Sequence, residues 1–296
     1  MNFLIFLSGK GIFKKLNQLL SVFNSKFEYN YSIERSVHKE AFELFFKDLR
    51  PLSTSYQLIR VGSYNDGGYL IPNDLEGIKY CISPGVGKTI NFEADLLERF
   101  NIQSFLADPT VERPDNLKAG IDFESMGISY VQDFQEIKAM ESQELKLSNM
   151  CTLKDFMSFK IPDTEADLIL QMDIENAEYL ALLSSSIKTL SRFRIMIIEF
   201  HSIPKIFNEI YFEQVVSPLF KKLNRIFYPA HVHANNVAKP LKFFKYKIPH
   251  SLEITFHNRS RVSSRNEPVF KPIRDELDSP CDPTKPEVFL DLNLFS

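Results

Sequence analysis

The hydrophobic and polar positions along the chain change rhythm near Pro51. Before it, apolar residues recur at helical spacing in two stretches: Phe13, Leu16, Leu19, Leu20 and Phe23 within residues 12–23, and again over residues 34–49. After it, short apolar runs alternate with longer amphipathic segments, the rhythm of strands and helices in a parallel sheet. The runs at 78–83 (IKYCIS), 103–107 (QSFLA), 128–131, 167–172 (DLILQM) and 194–200 (RIMIIEF) read as strands. Near-continuous apolar strands of this kind suit a sheet covered on both faces. Between them, residues 91–100, 152–157, 176–190 and 209–223 read as helices; in 176–190 the stripe is Ala177, Leu180, Leu183, Ile187 and Leu190. Two further strands, 226–233 and 252–257, close the sheet. The expected fold class is α/β, a mostly parallel sheet with helices on both faces. Beyond Ser260 the chain turns polar and proline-rich, so three regions are expected: an N-terminal helical extension (1–52), the α/β domain (53–260) and an extended tail (261–296).

Composition narrows the function. The chain has 296 residues, 44% of them hydrophobic and 25% charged, which is ordinary for a soluble domain with a sizeable core. A net charge of −3 provides no basic stripe for a phosphate backbone, which argues against nucleic acid as a partner. Cys81, Cys151 and Cys281 show neither a disulfide framework nor metal-ligand spacing, so the expected setting is reducing and cytoplasmic. No apolar run approaches the roughly 20 residues of a transmembrane helix. The first residues, MNFLIFL, resemble a leader only superficially: the apolar stretch is short, Lys10, Lys14 and Lys15 follow it, and no small-residue cleavage site appears. The segment reads as an amphipathic extension that packs on its own domain, with a partner or a membrane surface as the alternatives.

Ligands of open α/β sheets bind outside the carboxyl ends of the strands. After the first strand comes Ser83-Pro84-Gly85-Val86-Gly87-Lys88-Thr89, and after the second comes Asp108-Pro109. A phosphate-binding loop would need glycine at 82, which is Ile82, and a dinucleotide fingerprint would need its third glycine at Ile90. A G-x-G turn followed by an acid suits S-adenosylmethionine better, a cofactor with a ribose but no pyrophosphate; an ordinary βα turn is the bland alternative.

Carboxylates also stand at the ends of the fourth and fifth strands, in Leu170-Gln-Met-Asp173-Ile-Glu175-Asn176-Ala-Glu178 and Ile197-Ile-Glu199-Phe-His201. With these residues the sequence resembles the FkbM family of S-adenosylmethionine-dependent methyltransferases, and within it the branch that includes methyltransferase-like protein 24. Asn65-Asp66-Gly67-Gly68-Tyr69, Ser83-Pro84-Gly85-Val86-Gly87, Phe92-Glu93 and Ala107-Asp108-Pro109 match the family's segments in order, and the resemblance runs from about residue 60 to 257. Asn176 stands where the family usually has glycine, and Gln171 where it often has lysine. The resemblance implies a Rossmann-like class I methyltransferase with a seven-stranded sheet. It also implies methyl transfer to oxygen, on a sugar hydroxyl of a glycan or glycolipid. On that reading Gly85 and Gly87 admit the methionine moiety, Asp108 holds the ribose hydroxyls and Glu93 reaches the amino group. Asp66, Gly68 and Tyr69 cover the cofactor, while Asp173 and Glu175 sit where cofactor and acceptor meet.

His201 follows Glu199 at strand spacing, and His231, His233 and Asn235 share parity, so both groups are expected in one crevice. His201 is the expected general base, oriented by Asp173 or Glu199, with His233 nearby and His231 structural. Glu253, an acid inside an apolar strand, is expected to hold a histidine or an arginine. Two competing readings use the same residues. One is a metal enzyme with Asp173, His201 and His233 around iron or zinc, or a divalent cation assisting transfer. The other is a non-catalytic binding module, prompted by Asn176.

Overall fold

Alternation along the central strands decides the layering. The computed structural model describes residues 2–7, 30–52, 55–87, 89–115, 117–130, 149–162, 166–261 and 276–295. Among them, β1 (Leu58–Gly62) and β2 (Gly68–Pro72) form a hairpin. A seven-stranded sheet is built from β3 (Tyr80–Pro84), β4 (Gln103–Ala107), β5 (Ile121–Glu124), β6 (Leu168–Met172), β7 (Phe193–Phe200), β8 (Phe227–Ala234) and β9 (Leu252–Asn258). Its order is β8-β9-β7-β6-β3-β4-β5, with β9 antiparallel to both neighbours and the remaining pairs parallel.

Every residue of β6 and β7 is buried. Leu168, Leu170, Met172, Met196, Ile198 and Phe200 enter the larger core, while Ile169, Ile195 and Ile197 enter a second core on the other face, the period of two that a doubly covered strand requires. The larger core is roofed by α1 (Lys39–Asp48), α3 (Leu153–Lys160), α4 (Glu178–Ser184), α5 (Ile187–Leu190) and the helical stretch 209–226, here α6. In α1, Phe42 meets Phe207 and Phe243, Phe45 meets Phe220 and Phe46 meets Phe295, mostly edge-on. The second face is shared by α2 (Asn91–Phe100) and the β1–β2 hairpin, through Phe92, Leu96, Val61, Tyr69 and Ile71.

The chain lays β3, β4 and β5 outward from the middle, then returns to place β6 on the other side of β3. The topological switch point therefore lies between the carboxyl ends of β3 and β6. There Gly85 N–H donates to the Ala107 carbonyl (2.8 Å) and Asp173 N–H to that of Pro84 (3.0 Å). Gly85 has φ +82°, and a Cβ on it would stand 1.5 Å from the Asp173 carbonyl oxygen. At the opposite end, buried Arg194 binds Asp167 and the carbonyls of Asp74 and Glu76, while the Asp74 carboxylate also takes His257 and Arg261.

Several elements differ from the sequence expectation. The third strand is Ile121–Glu124, not residues 128–131: Gly127–Ile128 makes only a short pairing with Met150–Cys151, and residue 131 lies outside the described residues. A four-residue edge strand leaves too brief an alternation to read. The expected helix 176–190 starts at Glu178 and splits after Ser184, because the Ser186 hydroxyl caps a new turn by accepting from Thr189 N–H (3.0 Å). The helix expected over 34–49 begins at Lys39, since Asn30–Arg35 instead pairs in parallel with Asn2–Leu7, a long-range contact that local periodicity does not encode. The β1–β2 hairpin and a second one, Leu241–Phe243 with Tyr246–Ile248, have no counterpart in the sequence expectation. The amphipathic stretch 12–23 lies outside the described residues. Within the tail, Cys281, Leu290, Leu294 and Phe295 are buried against the domain.

Gly85→Ala should cost about 3 kcal/mol of stability, the sum of a left-handed backbone on a non-glycine residue and a main-chain clash. Urea unfolding followed by circular dichroism measures it; a loss below about 1 kcal/mol would mean that the ends of β3 and β6 can part freely.

Candidate active site

A cavity of about 350 Å³ opens at the switch point. Of the residues singled out in the sequence, Asp66, Tyr69, Gly85, Gly87, Glu93, Asp108, Asp173 and Glu175 all line it, joined by Gly67, Val86, Thr89, Phe92, Thr110 and Gln171. Gly68 does not. A Cβ there would meet the Ser63 carbonyl at 1.8 Å, so its glycine serves the closure of the β1–β2 turn. The two glycines of the β3 turn also divide their work. The space beside Gly85 is filled by the chain's own Asp173 carbonyl, whereas Gly87 (φ +54°) faces open space and is the one that leaves room for a ligand.

Asp108 ties the β3 and β4 turns together. One carboxylate oxygen accepts from Gly87 N–H (3.0 Å), and the other accepts from the backbone and hydroxyl of Thr110 (2.8 and 2.6 Å). The spacing Asp-x-Thr is itself the signal for such a turn, so Thr110 is a site residue that the sequence reading missed and could have found. The cavity floor is a chain of polar side chains: Glu93 meets the Ser83 hydroxyl, which reaches Gln171 Oε1 (2.6 Å), and Gln171 Nε2 donates to the Tyr69 hydroxyl (3.2 Å). Burial raises the Glu93 carboxyl above its ordinary range and favours its protonated form. Gln171, which stands where the resembled family often has lysine, is thus part of the cavity lining.

Next to this floor, four carboxylates converge on one imidazole. His201 Nδ1 is 2.7 Å from Glu178, which is fully buried, while Nε2 faces Glu175 (3.3 Å), Glu199 (3.5 Å) and Asp173 (3.6 Å). Burial works against a charged ring, but the Glu178 hydrogen bond and the charges of Glu199, Glu178 and Asp173 outweigh it and push the His201 pKa up to about 9. A ring with that pKa keeps its proton at neutral pH, an electrostatic setting that favours a cationic His201 over the general base expected from the sequence. Asp173 moves the other way from a typical acid, to about 7, because burial and the charges of Glu175, Glu178 and Asp66 exceed the help from His201. Glu199, buried and facing Glu253 and Asp173, is raised well above the carboxylate range and accepts from Asn235 Nδ2 (2.9 Å).

Backbone strain gathers at the same place. Glu175 (φ +51°), Asn176 (φ +84°) and Ser202 (φ +49°) are left-handed, and they flank Asp173 and His201. Asn176, standing where the resembled family has glycine, keeps the left-handed turn that position needs; its N–H donates to Glu178 (3.1 Å) and its Oδ1 accepts from Lys205 (3.0 Å).

His233 lies apart from the cavity. Its Nδ1 bonds Glu253 (2.8 Å), whose other oxygen accepts from the Cys281 thiol (3.1 Å), while His231 pairs with Asp278 (3.1 Å). Glu253 thus holds a histidine as expected, and that pairing, outweighing burial, keeps its carboxyl below the ordinary range. The crevice expected to hold His201 and His233 together is divided by Glu199 and Glu253, which face each other across β7 and β9. Asp173, His201 and His233 accordingly form no common metal site. Among the described residues, the groups close enough to share a cation are Asp173, Glu175 and His201; His233, Glu253 and Cys281; and Asp66, Glu199 and Glu253.

A mostly parallel seven-stranded sheet with β9 reversed, and a polar cavity at its switch point, define the class as a Rossmann-like methyltransferase fold. Residues 100–228 match the methyltransferase FkbM domain, a similarity that supports a methyltransferase. The matched span runs from the end of α2 into β8 and includes Asp108, Asp173, Glu175, Glu199 and His201; the Gly85–Gly87 turn precedes it. No curated protein is significantly similar to the chain.

The His201 assignment predicts a proton NMR titration midpoint near pH 9, moved toward neutrality in Glu178→Gln. Since the folded pKa lies above the ordinary 6.5, the charged ring stabilises the fold fully below pH 6.5 and that contribution fades as pH rises through 9. A wild-type midpoint near 6.5 would refute it.

Proposed function

We propose that the methyl donor is S-adenosylmethionine, held in the switch-point cavity, and that the acceptor is a hydroxyl oxygen on a sugar of a glycan or glycolipid. The observation that carries the donor is the cavity itself: the open side of Gly87, the acid Asp108 at the end of β4 and the buried floor of Glu93, Ser83 and Gln171 surround one space. S-adenosylmethionine, when bound, supplies an electrophilic methyl carbon on a positively charged sulfur, and a lining rich in carboxylates favours that charge.

The chain's own residues supply the rest. Asp108 is tied to Gly87 and Thr110 through both carboxylate oxygens, so its lone pairs are fixed in direction for ribose hydroxyls. Asp173, at the cavity edge and titrating near 7, is the group that takes the acceptor's hydroxyl proton at neutral pH. His201 holds its own proton and, through its charge, keeps part of the Asp173 population ionised. A cation shared by Asp173, Glu175 and His201 would need the neutral imidazole and so compete with that proton, which makes the metal-assisted alternative the weaker reading. Unpaired Cys81, Cys151 and Cys281 fit a reducing, cytoplasmic setting, and among the described residues no helix is long and apolar enough to cross a membrane.

Calorimetric titration with S-adenosylmethionine and S-adenosylhomocysteine tests the donor. Saturable binding is expected, weakened about tenfold or more in Asp108→Ala and in the closer mimic Asp108→Asn, a loss of at least ~1.4 kcal/mol. Folded wild-type protein that binds neither compound would overturn the proposal. In transfer of labelled methyl to a glycolipid extract, Asp173→Asn should slow the rate about a hundredfold, the scale of a lost general base, with donor affinity nearly unchanged.

A further inference from the structure

A second cavity, about 820 Å³, opens on the other side of the acid and histidine cluster. It begins at Ser202, one residue beyond His201, and its Lys205 donates to Asn176, the residue after Glu175 of the first cavity. The two cavities thus share a partition made of the turns at 173–176 and 201–202. That partition holds the left-handed Glu175, Asn176 and Ser202, and strain of this kind persists where the surroundings enforce a working geometry. The first cavity is lined by five carboxylates. The second has the opposite character: its walls are apolar, with Phe207, Tyr211 and Phe243, and its ionisable groups other than the Tyr211 phenol are Lys205, Lys242 and His250. Ile210 and Leu241 on its rim are 60% and 47% exposed, which leaves large apolar side chains facing water.

We propose that this cavity is the acceptor subsite and that the acceptor is an amphipathic anion. Its hydroxyl-bearing head reaches Asp173 through the partition, a phosphate meets Lys205 and Lys242, and an apolar chain lies along Phe207, Tyr211 and Phe243. The argument is charge complementarity joined to continuity. A donor cavity rich in acid repels an anion, the adjoining cavity attracts one, and only a molecule with an apolar part uses walls of this composition. The assignment as acceptor rests on the methyl-transfer reading; the binding of an amphipathic anion does not.

Titration with dodecyl phosphate below its micellar concentration, followed by calorimetry, tests the binding directly. One saturable site is expected, about tenfold or more weaker for the neutral dodecyl maltoside, with inorganic phosphate alone too weak to measure. Lys205→Glu with Lys242→Glu should lower the dodecyl phosphate affinity about tenfold or more, and Val215→Trp, which fills the cavity from its wall, should do the same without changing charge. Absence of dodecyl phosphate binding, equal binding of the maltoside, or unchanged affinity in the lysine and tryptophan variants would each overturn the proposal. S-adenosylmethionine binding by the same wild-type sample separates the two readings: donor binding without dodecyl phosphate binding removes the subsite alone, and the reverse removes the donor assignment and the acceptor role that rests on it, leaving the amphipathic-anion site.

Discussion

Four carboxylates gather around the His201 ring, and burying that much like charge sets the terms for the rest of the site. A single imidazolium cannot neutralise Asp173, Glu175, Glu178 and Glu199 together. The protein distributes the difference: Glu178, fully buried, takes the direct bond to Nδ1, Glu175 remains largely in water, Glu199 is driven toward its protonated form, and Asp173 titrates near 7. An acid poised at neutrality is thus a by-product of how the cluster is accommodated, and it lies on the wall of a cavity sized for a small molecule.

The same electrostatic problem recurs one strand away and is solved differently. Asp66, Glu199 and Glu253 come together, and here the neighbouring ring of His233 draws Glu253 below its ordinary range. The C-terminal segment completes the arrangement. Cys281 donates its thiol to Glu253, its carbonyl accepts from Asp66 N–H (3.2 Å), and the Asn236 side chain is bound to the backbone of Asp282. Residues far apart in sequence thereby hold the turn that carries Asp66 over the cavity. The partition between the two cavities is held in a similar way, by Lys205 on Asn176 and by the Ile203 N–H on the His250 carbonyl (2.8 Å).

Much of the site is legible in the linear sequence. The acids and glycines at the ends of the strands stand out from position alone, because in an open α/β sheet those ends must face the same crevice. The residues that escape such a reading do so for definable reasons. Gln171 sits inside a buried strand, where alternation shows which face it takes but not that this face meets Ser83 and Tyr69. Gly68 has the look of a ligand-facing glycine and is required by the Ser63 carbonyl, a contact across a hairpin that the local pattern does not reveal. His201 and His233 share strand parity with their neighbours, yet Glu199 and Glu253 stand between them because β9 inserts antiparallel between β7 and β8.

The sequence by itself determined the class of fold, the order of its main strands and helices, and the chemical character of the strand ends, since these follow from local periodicity and from residue type. Tertiary structure alone decided protonation and partnership. Whether His201 is a base or a fixed cation depends on four acids delivered by two strand ends and the first turn of α4, and pKa values respond to burial and distance, neither of which a linear pattern contains. The cavity beyond His201 is equally a product of packing: its walls come from the turn after β7, from α6 and from the second hairpin, segments that no sequence motif links.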